Sequence, residues 1–561
     1  MARTVAIGIQ DFETIINNDF FYVDKTHFIR EWWESGDSVT LITRPRRFGK
    51  TLNMSMLNRF FSLKYAGQGE VFKGLSIWKD EKYRKLQGTY PVINLSFAAV
   101  KEDNLQAAKK KINELILELY MKHAFLKSGN LLEEKEKEYF DRISGNMDDS
   151  DASLSLYRLS DFLCRYYGKK VIILLDEYDT PMQEAYVNGY WNEFVTYTRN
   201  LFNATFKTNP WLDRAVMTGI TRVSKESVFS DLNNLEVVTT TSDKYADAFG
   251  FTQEEVYAAM DEMGYHDREN VKFWYDGFTF GTIKDMYNPW SILNYLDKGK
   301  FTTYWANTSS NSLVSKLVRE GSTAIKKTFE GLLSGESIRS EVDEQIVYNQ
   351  LDNSENAIWS LLLASGYLKV QEIEIVKNGL EQYMKYELVI TNFEVRTMFR
   401  NMVDGWFEKD RADYNDFVKA LLIGDLDAMN EYMNRVSLNI FSSFDTGNRP
   451  SGIQPERFYH GFVLGLLVEL EDRYVLTSNR ESGFGRYDVM LKPKKTGAPA
   501  FILEFKIYNK RRENSLEETV EAALKQIEEK QYEAELIAEG IPAENIRKYG
   551  FGFEGKTVLI G

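Results

Sequence analysis

Short apolar runs alternate with longer amphipathic stretches through the first half of the chain. The stretches repeat apolar residues at helical spacing, and four of the short runs have the unbroken hydrophobicity of strands that are covered on both faces. These four runs are Ser38–Thr43, Pro91–Phe97, Val171–Asp176 and Arg214–Thr221. The alternation predicts strand–helix–strand units around a parallel sheet, and therefore an α/β fold.

The pattern changes twice further along the chain. The middle segments are mostly helical, and the last part combines strands and turns over Tyr474–Ile507 with a long amphipathic helix that begins near Asn514. A chain of this length is too long to fold around a single hydrophobic core. We therefore predict three domains, which are a first α/β domain at 1–287, a helical lid or connecting domain at 288–448 and a second α/β domain at 449–561.

A glycine–lysine–threonine sequence follows the first predicted strand and opens a helical stretch. Gly49 lets the backbone approach phosphates closely, Lys50 can reach the terminal phosphates, and the Thr51 hydroxyl can ligate Mg²⁺. The helix N-terminus at this point also favours anions. The segment therefore predicts a nucleotide-binding P-loop, and a basic turn before a helix is the structural alternative.

The predicted P-loop departs from the usual pattern G-x-x-x-x-G-K-[ST] at its first position. Arg44 stands where that pattern has glycine. The arginine either alters the shape of the loop or adds a cationic contact to the nucleotide. We count Arg44 and Arg47 among the candidate nucleotide-binding residues.

The third predicted strand ends in two acids, at the sheet edge where parallel α/β sheets bind ligands. There Asp176 would hold Mg²⁺, and Glu177 would orient and polarise the attacking water. The fourth strand supplies Thr218 or Thr221 near the same edge as a γ-phosphate sensor. Arg222 either stabilises charge on the transferred phosphate, in its own subunit or a neighbouring one, or is an ordinary surface arginine.

Composition and charge narrow the class of protein. The chain has 561 residues, is 43% hydrophobic and 14% aromatic, and therefore has enough apolar material for folded cores. Its net charge of -14 argues mildly against a protein coated in nucleic acid but allows a local basic groove. One cysteine excludes an intrachain disulfide, and from the sequence pattern we expect neither a signal peptide nor a membrane anchor. We expect a cytoplasmic protein.

The predicted strands near the C-terminus carry a second group of chemically active residues. Because side chains alternate faces along a strand, Glu504 and Lys506 project from the same face. If the preceding strand pairs with this one as a hairpin, Asp488 meets Glu504. Two carboxylates so placed bind Mg²⁺, and the lysine can position or deprotonate a water that attacks a phosphodiester. The alternative is a Glu/Lys ion pair on a solvent-exposed sheet face.

Basic residues flank these carboxylates in the sequence. Such a cluster would attract a phosphate backbone, although charge runs are usually only solvated faces. The residues are Lys492, Lys494, Lys495, Lys510, Arg511 and Arg512.

Several longer motifs resemble one family across nearly the whole chain. The chain is similar to the bacterial AAA-ATPase-like proteins fused to a PD-(D/E)XK nuclease-like domain. The resemblance rests on Asp488 with Glu504-x-Lys506, on the segment NRESGFGRYDVML, and on IGIQDFETI, FYVDKT, RPRRFGKT, LLDEYD, TGITRVSKES, WYDGF and YNPWS.

The resemblance implies an AAA-like ATPase of the additional-strand P-loop class, followed by a helical middle region and a restriction-endonuclease-like α/β fold. It also implies that Glu469 and Gln526 complete the nuclease site and that Tyr532 belongs to the same helical motif as Gln526. The departure at Arg44 is typical of this family. ATP and Mg²⁺ are the implied cofactors.

Three functions fit these expectations. The leading hypothesis is an ATP-dependent nuclease or nucleic-acid-processing enzyme, with DNA favoured over RNA as its partner, in defence or mobile-element biology. In the second, the C-terminal domain binds nucleic acid under the control of the nucleotide but does not cleave it. In the third, the chain is a signalling ATPase whose C-terminal fold is a scaffold. The sequence allows a homo-oligomer and predicts no membrane partner.

Overall fold

The computed structural model divides the chain into two compact units. The first unit comprises Met1–Gly321 and Ile325–Phe399, and the second comprises Ser322–Ala324 and Arg400–Gly561. The division at residue 399 falls within one helix. The described residues are 3–222, 229, 232–306, 314, 317–318, 323–343, 351, 354–378, 381–406, 411–440, 463–464, 466–467, 470, 473–478, 481–482, 485–495 and 497–561.

A five-stranded parallel sheet forms the centre of the first unit. Its strands are β1 (Val39–Thr43), β2 (Val92–Ser96), β3 (Val171–Asp176), β4 (Leu212–Gly219) and β5 (Leu235–Val238). The order is β2-β3-β4-β1-β5, with every neighbouring pair parallel. The predicted strands and parallel sheet are confirmed. One strand, β4, lies between β1 and β3.

Helices pack against this sheet, and every residue of β1 and β3 is buried. Ile42, Leu174 and Val216 on the sheet belong to one buried cluster with the aromatic side chains of Trp32 and Phe60. The helices before β5 are α1 (Phe12–Asn17), α2 (His27–Ser35), α3 (Lys50–Phe61), α4 (Glu81–Leu86), α5 (Leu105–Lys122), α6 (Glu134–Arg142), α7 (Asp149–Tyr167), α8 (Thr180–Val187) and α9 (Trp191–Phe202).

The rest of the first unit is mostly helical, as predicted, but contains strands that the sequence patterns did not indicate. Its helices are α10 (Gln253–Met263), α11 (Arg268–Tyr275), α12 (Pro289–Lys298), α13 (Thr323–Ser334), α14 (Glu355–Ala364) and α15 (Phe393–Trp406). Its strands are β6 (Phe278–Phe280) and β7 (Ile283–Met286), which pair together, and β8 (Ile338–Ser340), β9 (Leu368–Asn378) and β10 (Glu381–Ile390), which form an antiparallel sheet.

A mixed sheet of order β11-β14-β15-β16-β17 forms the centre of the second unit. Its helices are α16 (Arg411–Ile423), α17 (Leu426–Ile440), α18 (Leu516–Glu529) and α19 (Ala534–Ala538). The strands are β11 (Tyr474–Ser478), β12 (Glu481–Ser482), β13 (Gly485–Arg486), β14 (Val489–Pro493), β15 (Ala500–Ile507), β16 (Ile546–Glu554) and β17 (Thr557–Ile560), of which only β12 and β13 lie outside the sheet. The parallel pair β15 and β16 is joined through α18.

Both faces of this second sheet are covered. Phe501, Leu503 and Phe505 pack on the side of α16 and α17, whereas Ala500 and Ile502 pack beneath α18 and α19. The α/β fold expected for the C-terminal part is therefore confirmed. The three-domain division stays a prediction.

The described helices include none that is long and apolar enough to cross a membrane. Cys164, the one cysteine of the chain, lies on α7 and is partly buried. Burial raises the pKa of its thiol, so that the neutral thiol is favoured near pH 7.

Candidate functional sites

The loop after β1 has the backbone shape of a phosphate-binding loop. Gly49 adopts φ 81° immediately before α3 begins at Lys50, a left-handed conformation that glycine adopts without steric cost. A Cβ at Gly49 would meet no atom within 4 Å, so the space on this side of the loop is open. The unpaired N–H groups of the first turn of α3 face an approaching anion.

Lys50 lies at the centre of this loop. Its buried Nζ donates to the backbone carbonyls of Arg44 and Pro45, at 2.8 Å each. Burial lowers the pKa of Lys50, and the negative charges of Glu177 and Asp179 oppose that shift. The ammonium group is therefore held by the loop and lies within electrostatic reach of the acids after β3.

Asp176 joins the P-loop helix to two neighbouring strands. The Thr51 hydroxyl donates to one carboxylate oxygen of Asp176 at 2.7 Å, and the Thr218 hydroxyl donates to the other. Burial raises the pKa of Asp176, and these two hydrogen bonds oppose that rise. A threonine hydroxyl beside a carboxylate at a strand end is the hard-oxygen ligand set that Mg²⁺ prefers, so these residues fit the predicted ion.

Glu177 follows directly and has a left-handed backbone, with φ 50°. Its N–H donates to the Thr218 hydroxyl at 3.3 Å, and its carboxylate accepts from the Thr180 hydroxyl at 3.2 Å. Such a backbone costs about 1–3 kcal/mol in a non-glycine residue and persists where surrounding contacts impose it. The turn places a partly exposed carboxylate beside Asp176, as the predicted water-polarising role requires.

A third acid, Asp179, has a positioning role that sequence reasoning missed. Its buried carboxylate accepts from the N–H groups of Ile220 and Thr221, at 2.8 and 2.9 Å, and from the Thr221 hydroxyl at 3.1 Å. A Cβ at Gly219 would lie 2.7 Å from Asp179 Oδ1. Of the two candidate threonines, Thr221 is therefore hydrogen-bonded to Asp179, whereas Thr218 is hydrogen-bonded to Asp176. The available signal was the third acid in LLDEYD.

The guanidinium of Arg44 lies inside the protein. It donates to the carbonyls of Thr239 at 2.6 Å and Tyr245 at 3.4 Å, and it lies 4.6 Å from the ring centre of Phe280. Burial lowers the pKa of Arg44 to about 9, which leaves it protonated near pH 7. These contacts favour a shape-determining role over the phosphate contact that the sequence also allowed.

The other predicted arginines have different surroundings. Arg47, at φ 67°, is exposed, and its guanidinium stacks over Trp290 at 4.3 Å from the ring centre. Arg222 is partly exposed after Thr221. The nucleotide roles assigned to these two arginines stay predictions.

Segments that follow the central sheet brace the P-loop. Phe48 packs edge-on against Phe278 of the WYDGF motif at 4.8 Å, and Asn288 of the YNPWS motif donates to the carbonyl of Arg46 at 3.2 Å. A Cβ at Gly366, where φ is 82°, would lie 2.8 Å from Pro45. The helical region is therefore packed against the loop within the first unit.

The second site forms where β14 and β15 pair. Val489 lies opposite Leu503, and the antiparallel register continued by one residue sets Asp488 opposite Glu504, as the hairpin prediction required. Asp488 accepts from the N–H of Phe505 at 2.8 Å. Burial raises the pKa of Asp488, and that hydrogen bond and the charge of Lys506 oppose the rise.

A glutamine on α18 links the remaining residues of this site. Gln526 donates through its amide nitrogen to Glu504, and its oxygen accepts from Lys506 Nζ at 2.6 Å. The same nitrogen lies 3.1 Å from the Tyr532 hydroxyl. The structure thus brings together Asp488, Glu504, Lys506 and Gln526, whereas Glu469 lies outside the described residues.

The face that carries Glu504 differs from the expectation. Glu504 is only 3% exposed and shares its sheet face with Ile502 beneath α18. A Cβ at Gly550 on β16 would lie 2.7 Å from the carbonyl of Val520, so the absence of a side chain there lets the helix approach closely. The exposed ion-pair alternative is therefore wrong, because α18 covers this face.

Two of the basic residues near this site are paired with acids. Lys492 pairs with Glu539, and Lys510 lies 2.8 Å from Glu554. All four side chains are at least 38% exposed, so water screens both pairs and phosphates could replace the acids.

One further group of metal-ligating side chains lies away from both sites. His27 and Glu31 on α2 meet Asp247, with their ligand atoms within 4.8 Å of one another. The imidazole lies 3.5 Å from the Asp247 carboxylate, and hydrogen bonding to His27 lowers the pKa of Asp247. This imidazole–carboxylate pair accounts for the cluster without a metal ion.

Comparisons with known proteins agree with the division into an N-terminal and a C-terminal α/β part. Residues 6–229 match the family model of predicted AAA-ATPases, and residues 454–561 match the model of the PD-(D/E)XK nuclease superfamily. A protein of Azotobacter chroococcum mcd 1, described as an uncharacterized protein in the vnfD 5' region, is 25% identical over 484 residues. That similarity covers 84% of this chain and 85% of the relative, so it extends beyond either family match alone. The two-part family resemblance is confirmed.

Proposed function

We propose that the first unit hydrolyses ATP and that the second cleaves nucleic-acid phosphodiesters with Mg²⁺. The observation that carries the ATPase assignment is the contact of Thr51 with Asp176, which joins the P-loop to the acidic end of β3. For the nuclease, it is the linkage of Glu504 and Lys506 through Gln526. Mg²⁺ bound at either site would neutralise negative charge that develops on phosphate oxygens.

In the ATPase site, each residue has a distinct task. Lys50 and the N–H groups of the loop bind the phosphate chain, and Thr51 and Asp176 are the proposed metal ligands. Glu177 orients a water molecule for attack on the γ-phosphorus and accepts its proton. The new bond forms from that water oxygen to phosphorus, and the bond to the β–γ bridging oxygen breaks, which releases ADP.

In the nuclease site, Asp488 and Glu504 are the proposed metal ligands. Lys506 positions the attacking water beside the scissile phosphate, and Gln526 fixes both Lys506 and Glu504 in place. We propose DNA as the preferred substrate and a cytoplasmic location.

Substitutions at the P-loop test the ATPase assignment. Lys50→Ala should abolish measurable turnover, whereas Glu177→Gln should still bind ATP and lose roughly 10²–10⁴-fold in hydrolysis rate, because it keeps the shape but not the base. Lys73→Ala, an exposed lysine on the same unit, is the control. Turnover by Lys50→Ala at the parental rate would refute the assignment.

The nuclease assignment calls for conservative variants, because Glu504 is buried. Asp488→Asn and Glu504→Gln should lose Mg²⁺-dependent cleavage while ATP turnover persists. The assay should compare single- and double-stranded DNA and RNA, with and without ATP. Glu539→Gln, on the surface of the same unit, should cleave normally. Cleavage that survives in Asp488→Asn and Glu504→Gln alike would show that the activity arises elsewhere.

A further inference from the structure

The three arginines of the R-P-R-R sequence before Gly49 have three different environments. Arg44 is enclosed, with its guanidinium held by backbone carbonyls and by the ring of Phe280. Arg47 is stacked on Trp290. Only Arg46 remains to be explained, and sequence reasoning had assigned it no role.

Arg46 is fixed through its backbone and loosely held through its side chain. Its carbonyl accepts from Asn288 at 3.2 Å, and its Nη2 donates to the amide oxygen of Gln183 at 3.3 Å. Among the residues that the structure describes, no carboxylate forms an ion pair with Arg46. A partly exposed guanidinium with a long, neutral hydrogen bond can exchange that contact for a phosphate at little cost.

The position of this side chain relates it to the acidic end of the sheet. Gln183 lies on α8, the helix that follows Asp176 and Glu177, and Ile220 comes directly after β4. Arg46, Gln183 and Ile220 line one cavity, which Trp305 and Tyr367 also line. The guanidinium therefore lies on the side of the loop where β3 and β4 end.

Electrostatics place Arg46 close to the phosphate-binding lysine. Burial lowers the pKa of Lys50, and the positive charge of Arg46 adds to that shift. Lys50 and Arg46 thus place two positive charges at the loop, and Glu177, the proposed water-polarising acid, acts electrostatically on Lys50. The terminal phosphate of ATP fits such a pair, because its charge relieves the repulsion between the two cations.

We propose that Arg46 contacts the γ-phosphate of ATP and makes this site prefer a nucleoside triphosphate to a diphosphate. The inference rests on the proposed ATPase function. Guanidinium–phosphate contacts are charge-assisted and commonly bidentate. On binding of the triphosphate, the side chain leaves Gln183, while its backbone stays anchored to Asn288.

Nucleotide affinities test this assignment directly. The dissociation constants of a non-hydrolysable ATP analogue and of ADP, each with Mg²⁺, should be measured for the full chain and for Arg46→Ala and Arg30→Ala. Arg46→Ala should lose about tenfold or more of the triphosphate-over-diphosphate preference, the size of one charge-assisted hydrogen bond, with its ADP affinity unchanged. Arg30→Ala, which removes an exposed arginine on α2, is the control and should keep the parental ratio, and Arg46→Lys should restore part of it.

The outcomes separate this inference from the function on which it rests. If the parent and Lys50→Ala bind ADP equally well, or neither binds, the nucleotide site itself is wrong. If the parent binds both nucleotides and Arg46→Ala keeps the same ratio, only the Arg46 assignment is overturned. An equal loss of preference in Arg30→Ala would also overturn it, because the effect would then be one of general positive charge.

Discussion

Arg44 shows how one residue can replace the first glycine of a P-loop. A glycine there would permit a tight turn, whereas this arginine fixes the turn by donating to carbonyls of the segment after β5. The carbonyls of Thr239 and Tyr245 lie 195 and 201 positions away in the sequence. The loop therefore depends on a distant segment for its shape.

Restoring the usual glycine should damage this protein. Arg44→Gly removes a fully buried, hydrogen-bonded guanidinium and leaves a cavity with unpaired carbonyls, so we expect a loss of roughly 3 kcal/mol or more in the free energy of unfolding of the first unit. Chemical denaturation measures it. Arg47→Ala, which removes an exposed stacking contact, should cost no more than about 1 kcal/mol. Equal stability of Arg44→Gly and the parent would contradict the structural role.

Asp276 of the WYDGF motif should make stability depend on pH. Burial, and next the charge of Asp285, raise its pKa from 3.8 to about 6, while Lys272 at 3.2 Å opposes the rise. Lys369 is the other charged group that acts on it. Because the folded-state pKa lies above the unfolded value, this group stabilises the fold at low pH, and that contribution is lost as the pH rises towards 6.

Asp276→Asn should therefore gain melting temperature relative to the parent between about pH 4 and pH 6.5. The gain arises because the asparagine never takes on the buried charge, and thermal unfolding across this range measures it. Asp297→Asn, an exposed acid on α12, should show no such trend. A constant difference between Asp276→Asn and the parent at all pH values would refute the prediction.

Individual site residues were predictable where a local pattern specifies chemistry. Lys50, Thr51 and Asp176 follow from a strand–loop–helix pattern and a strand-end acid, and Glu504 with Lys506 follows from alternation along a strand. Burial of Glu504 did not follow, because it depends on how closely α18 approaches a glycine of β16. The directions of the arginine side chains likewise depend on contacts that are remote in sequence.

At the scale of elements, α17 protects the open edge of the second sheet. Asn430 and Asn434, one helical turn apart, each donate to and accept from the backbone of one edge-strand residue, Ile560 and Val558 respectively. The four distances lie between 2.7 and 2.9 Å. The two amides therefore act as a short substitute strand beside β17.

Asn434→Ala should destabilise the second unit. It leaves the N–H and carbonyl of Val558 without their partners, which costs about 1–3 kcal/mol and lowers the melting temperature of that unit by several degrees. Glu431→Ala, an exposed position on the same helix, is the matched control. Identical melting temperatures of the two variants would mean that water forms equally good hydrogen bonds with the N–H and carbonyl of Val558.

The β9–β10 hairpin was the principal element that the sequence reading missed. Glu372, Ile373, Glu374 and Ile375 alternate with the period of a strand, but both isoleucines are exposed, Ile373 at 51% and Ile375 at 54%. Such alternation is normally typical of half-buried strands, but here it is short and lies among segments whose patterns predict helices. The central strands were predictable because burial on both faces makes them uniformly apolar.

For the whole molecule, hydrogen bonds connect the P-loop to the helix in which the two units divide. Asn288, which donates to Arg46, also caps the first turn of α12. From that turn, Ser291 donates at 2.7 Å to Glu394, a buried residue in the first turn of α15. Glu394 also accepts from the N–H groups of Tyr304 and Trp305, at 2.5 and 2.7 Å. Hydrogen bonds to Glu394 thus fix the start of α15 within the first unit.

We predict that ATP controls cleavage through this connection. Two proteins isolate the nucleotide effect, namely Glu177→Gln, which should hold ATP, and Lys50→Ala, which should not. Glu177→Gln with ATP should cleave nucleic acid about fivefold faster or more, the low end of typical coupling. Equal rates across a full Mg²⁺ titration would leave two independent enzymes on one chain.

Removing one hydroxyl tests whether the α12–α15 contact transmits the effect. Ser291→Ala breaks the bond to Glu394 while keeping the other hydrogen bonds of that carboxylate, so the fold should persist. Added to Glu177→Gln, it should reduce the response of cleavage to ATP towards that of Lys50→Ala. Arg396→Ala, at an exposed position in the same turn of α15, is the control and should leave the response intact. Contiguity in space alone does not establish coupling, so an undiminished response in the Ser291→Ala double variant would exclude this connection as the transmitter.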